Sequence, residues 1–103
     1  MDMHDVAVRF EKLFRDATWA EKRGRGRCPM LQALLARDAL ASGSLELAVV
    51  HMDIAQRELT RMRMMKLDRK VRDPKIRRVL QPAIWSGEIE EARALFLQAG
   101  IVA

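Results

Sequence analysis

Leu45, Ala48, Met52, Ala55, Leu59 and Met62 stand at alternating three- and four-residue steps, the spacing that lines one side of an α-helix with apolar side chains. A strand would need alternation by two, so this stretch is fixed as a helix with a packing seam. Carried on to residue 72, the helix would measure about 40 Å at about 1.5 Å per residue, longer than a compact domain of 103 residues requires. The seam does not carry on with it. At roughly 100° per residue, Met64, Leu67 and Val71 fall about 120° away from the seam residues. Either the helix breaks near Arg63, or its distal part packs on something other than the core that holds its first part.

The rest of the chain punctuates itself into helices. Val6, Phe10, Leu13, Phe14 and Ala17 give an amphipathic helix over 6–21 behind Asp5 as N-cap. Two glycines and four like charges in residues 22–27 stop it in a basic loop. Pro29 suits the first turn of a second helix over 29–41, which is apolar nearly all round and is expected to lie centrally. Ser42-Gly43-Ser44 ends that helix and caps the long one over 45–72. Asp73-Pro74 opens a helix over 74–85, with a kink expected at Pro82, and Ser86-Gly87 leads into a last helix over 88–99. Gly100 closes it, with Ile101 placed to touch Phe96. Gly and Pro together number only eight and Tyr is absent, a usage that favours helix over twisted sheet. The expected class is all-α: a four- or five-helix bundle of α-hairpins with one long helix, forming a single domain over 1–103 with one core.

An internal repeat accompanies this pattern. Residues 39–48 align with 83–92 at a fixed offset of 44, and the match extends from Gly43, Ala48, Met52 and Ala55 to Gly87, Ala92, Phe96 and Ala99. This spacing resembles the second half of a tetratricopeptide repeat, where small residues let paired helices approach closely. The resemblance implies a groove for a peptide or helix of a partner protein. It covers about half the chain and departs from the family in its period and in the unmatched aromatic positions of the first helix. Ala39, Gly43 and Val49 also take spacings of helix-turn-helix DNA readers, but Asp38 and Ser44 stand where that motif needs apolar residues. A plain α-hairpin fits better.

No arrangement of side chains points to catalysis. His4 and His51 lack a carboxylate or thiol at a spacing for a metal site or a nucleophile and base pair, so no catalytic residue, metal or cofactor is expected. Glu88, Glu90 and Glu91 are explained by the positive end of the last helix. A lone cysteine, Cys28, cannot close a disulfide within the chain, which places the protein in a reducing cytoplasm. No secretory signal is read at the start of the chain. The most apolar stretch, near 30–41, is interrupted by Gln32, Arg37 and Asp38, so no membrane span is expected.

Charge and the displaced stripe remain as candidate function. Residues 57–78 hold ten basic and three acidic side chains, while the whole chain carries +5. Arg61, Lys66, Arg69, Lys70, Arg77 and Arg78, with Arg23, Arg25 and Arg27 of the first loop, form a possible phosphate-binding set for DNA or RNA. The basic residues spread around most of the helix, however, and stacking aromatics are missing from 57–78. Met64, Leu67 and Val71, with Trp85 beside them, read instead as an interface for self-association or a partner protein. The reading favoured is therefore a protein–protein interaction module, an adaptor, chaperone or regulator, with nucleic-acid binding as the alternative.

Overall fold

A computed structural model describes residues 2–23 and 28–103 of the chain. Arg25 and Arg27 of the basic loop lie outside the described residues. Among the described residues the structure is all-α, as the periodicity requires: α1 Met3–Lys22, α2 Cys28–Ala41, α3 Leu45–Leu67, α4 Pro74–Trp85 and α5 Ile89–Gln98, with a single 3-10 turn at Asp68–Lys70. The chain divides into two compact units, Met1–Leu59 and Thr60–Ala103. One core over 1–103 was expected; each unit has buried side chains of its own.

In the first unit, α1 starts one turn earlier than its apolar pattern predicts. Asp2, not Asp5, is the cap, its carboxylate accepting from the His4 amide at 3.2 Å. α1 buries Val6, Leu13, Ala17 and Ala20, and α2, which packs against it, buries Pro29, Ala33, Ala36 and Ala39. α3 adds Ala48, Met52, Ala55 and Leu59 from the seam, and its Asp53 pairs with Arg9 of α1. Seven of these residues are alanines; with so little side chain at the contact, helices approach closely, and burial rests on backbone proximity more than on large side chains. That arrangement also corrects the expectation that α2 lies centrally, because its bulky Leu31 and Leu35 are exposed and its alanines face inward.

The second unit is built on larger side chains. Met64, Val71, Leu80, Ala83, Ile84, Ile89, Ala92 and Phe96 form one buried cluster, with Met65, Leu67, Ile76, Leu95 and Ile101 packed around it. α4 packs on α5 and on the 3-10 turn. It stays helical through Pro82 to Trp85. α3 runs unbroken through Arg63 but does not reach 72: it ends at Leu67 and tightens to the 3-10 turn, which the Val71 amide closes by donating to the Asp68 carbonyl at 3.1 Å. Val71 is then extended, as is Asp73 ahead of Pro74, where α conformation is disfavoured.

The offset of 44 holds at atomic detail. The Ser44 amide donates to the Ala39 carbonyl at 2.8 Å and Gly43 to Leu40 at 3.1 Å; Glu88 donates to Ala83 at 3.0 Å and Gly87 to Ile84 at 3.1 Å. Both are Schellman ends, and both require a left-handed residue, supplied at Gly43 with φ 81° and Gly87 with φ 78°. No atom lies within 4 Å of where a Cβ would sit at either position, so any cost of a side chain is conformational alone. Gly43→Ala and Gly87→Ala are each expected to destabilise their unit by about 1 kcal/mol, read from urea midpoints, and D-alanine introduced by chemical synthesis should remove that loss.

Candidate functional site

The residues singled out from sequence fall into two groups. Met64 and Val71 are each 1% exposed, inside the core of the second unit, and Leu67 packs against the same core. They are not a surface stripe. The shift of apolar face near Arg63 has another cause: up to Leu59 the helix packs in the first unit, and from Thr60 its inward residues are those that meet α4 and α5. Of the four residues expected at an interface, only Trp85 is open to solvent, at 71%.

The basic set is exposed. Lys66, Arg69, Lys70, Arg77 and Arg78 are all solvent-facing, as is Arg23, whose guanidinium stacks 4.5 Å from the Trp19 ring centroid; Arg61 is partly covered. Arg61 Nη1 donates to the Trp85 carbonyl oxygen at 3.4 Å, and its guanidinium carbon lies 5.9 Å from the Trp85 ring centroid. The aromatic ring missing from 57–78 is thus supplied by a residue 24 positions further on.

A second surface was not anticipated. In the first unit Leu31 and Leu35 of α2, and Leu47, Val50 and Ile54 of α3, are between 38% and 56% exposed. The His51 ring nitrogen and the Gln32 side-chain oxygen are hydrogen-bonded at 2.7 Å, which sets the register of the two helices. Leu35 lies one turn from Gln32 toward the Gly43 turn, Leu47 one turn from His51 in the same direction, and Ile54 one turn beyond His51 the other way. The five side chains therefore line one face of the α2–α3 hairpin. The signal was present in the sequence: 47, 50 and 54 form a second three- and four-step stripe on α3, and α2 is apolar all round because it has two apolar faces.

Other features carry less. The depression beside Phe10, Glu11, Phe14 and Arg15 is lined by one helix and is a surface dimple. The Glu88 pKa is raised, chiefly by a hydrogen bond with Glu91 and by that group's like charge; Glu88 makes no side-chain cap for α5. Cys28 is exposed. Among the described residues no His, Cys, Asp and Glu cluster is placed to hold a metal, and no helix is long and apolar enough to cross a membrane.

No protein-family model matches the chain, and no curated protein or solved structure gives a significant match. The likeness to tetratricopeptide hairpins accordingly rests on the two glycine-capped turns and brings no binding residues with it.

Proposed function

We propose that the chain is a small helical protein–protein interaction module that self-associates through the apolar α2–α3 face of its first unit. The observation that carries this is the exposure of Leu31, Leu35, Leu47, Val50 and Ile54 on one face, because contiguous apolar surface of that kind on a soluble domain marks an interaction site. Charge supports a second copy as the occupant. The first unit holds nine basic and nine acidic residues, whereas the second holds ten and five. Two copies meeting through second units would repel, while first units meet without net charge. The reading is a binding role without catalysis, in the cytoplasm, where the exposed Cys28 thiol stays reduced.

Light scattering coupled to size exclusion tests it. The wild-type chain is expected to elute as a dimer at micromolar concentration. Leu47→Glu and Ile54→Glu should each return it to monomer with helicity unchanged, since losing one buried leucine or isoleucine contact costs about 1.5–3 kcal/mol, or roughly 10- to 150-fold in the dimerisation constant. A wild-type chain that stays monomeric up to millimolar concentration would overturn self-association.

A further inference from the structure

Nine of the ten basic residues of the second unit lie between positions 61 and 78, against two acidic ones, Asp68 and Asp73. Two hydrogen bonds show how the structure arranges them. Arg61 reaches the Trp85 carbonyl, and Gln81 Nε2 donates to Asp68 Oδ2 at 3.4 Å. The end of α3 and α4 therefore run antiparallel, with 61 beside 85 and 68 beside 81. One turn below Gln81 on α4 come Arg78 and Arg77, and the 3-10 turn that packs on α4 brings Arg69 and Lys70. A track about 10 Å long on α4 thus begins at an exposed indole with a guanidinium beside it and ends among exposed cations. Asp68, beside it, is engaged by Gln81.

We propose that this α3–α4 track binds single-stranded nucleic acid, an unpaired base stacking on Trp85 beside Arg61 while Arg69, Lys70, Arg77 and Arg78 neutralise the phosphates that follow. Stacking platforms joined to cationic grooves are how proteins hold single strands without reading sequence. The indole decides between a polynucleotide and an acidic protein. The face of an aromatic ring carries negative potential, which repels a carboxylate but accepts a base or a guanidinium. It also decides against a duplex, whose bases are already stacked. This surface belongs to the second unit and is independent of the apolar face proposed for self-association.

The test uses the full chain with Trp19→Phe, so that Trp85 is the only fluorophore, titrated with oligo(U), oligo(dT), a random duplex and poly-glutamate. Either single strand is expected to quench Trp85, and a preference between them assigns RNA or DNA. In fluorescence anisotropy, affinity should fall on the order of fifty-fold between about 50 and about 200 mM salt if four phosphates are contacted. Trp85→Ala should weaken binding about tenfold, and the pair Lys70→Glu with Arg78→Glu should remove the salt-dependent part while helicity is retained, since all three side chains are exposed. Unchanged Trp85 emission, equal affinity of Trp85→Ala, a duplex bound as tightly as a single strand, or poly-glutamate competing as an equal would each overturn it.

Discussion

Met64→Glu is expected to unfold the second unit. A surface stripe would tolerate the change with full helicity, losing only a partner. Met64 is instead among the largest fully buried side chains, packed with Val71, Leu80, Ile84 and Phe96. Replacing it forfeits about 1.5–3 kcal/mol of apolar burial and asks a carboxylate to leave water without a partner, which costs about 1–3 kcal/mol more even where the site relaxes. A unit this short has little stability in reserve. Far-UV circular dichroism should show lost helix, and the amides of residues 60–103 should lose protection from hydrogen exchange while those of the first unit keep theirs. The pH dependence has a definite sign. A carboxyl in this core has a raised pKa in the folded state, so the variant is more stable at acidic pH, where it is neutral, and loses that stability as pH rises through the folded-state pKa. Met64→Gln should be destabilised without the pH slope. Full helicity in Met64→Glu at neutral pH would mean that the side chain faces outward after all.

Much of this architecture was legible because helix punctuation is local chemistry. Gly43 and Gly87 end helices by a backbone geometry that most residues resist, and Pro74 behind Asp73 opens one with a cap that the Lys75 amide reaches at 2.9 Å. The displaced apolar stripe at Met64 and Val71 was also legible, but its meaning was not. Angular position on a helix shows which side chains leave a seam; it does not show what they meet. Burial against α4 and α5 depends on how residues far apart in sequence close together, which periodicity leaves open. The same limit hid the Arg61 and Trp85 contact, so the basic residues and the ring were assigned to rival readings although they share one surface. The apolar α2–α3 face was missed for a different reason. Apolar residues on every side of α2 read as central burial, whereas the first unit buries the alanines of α2 and leaves Leu31 and Leu35 outside; where helices touch closely, the inward residues are the small ones.

That contrast between an alanine-lined and a large-residue core gives the sharpest expectation for the repeat. Met52 and Phe96 occupy the same place in the two hairpins, 44 residues apart, each fully buried and each flanked by alanines at matching positions, Ala48 and Ala55 or Ala92 and Ala99. Phe96→Ala is expected to cost about 3–5 kcal/mol and Met52→Ala about 2–5 kcal/mol, because the surrounding side chains relax only partly into the vacated space and a cavity remains. Exchange between the two places should be unequal. Phe96→Met removes part of a ring from a cluster of Leu80, Ile84 and Ile89, whose rotamers can partly close on the flexible thioether, at about 1.5 kcal/mol. Met52→Phe presses a rigid ring between helices lined by alanines, where relief requires moving backbone, and should cost more, about 3 kcal/mol, at the upper end of what overpacking a core costs. Chemical denaturation followed separately by Trp19 and Trp85 measures both. Equal tolerance of the two exchanges would show that the hairpins share a packing pattern as well as a turn; the expected inequality would show that the repeat conserves the glycine-capped connection while each unit solves its own core.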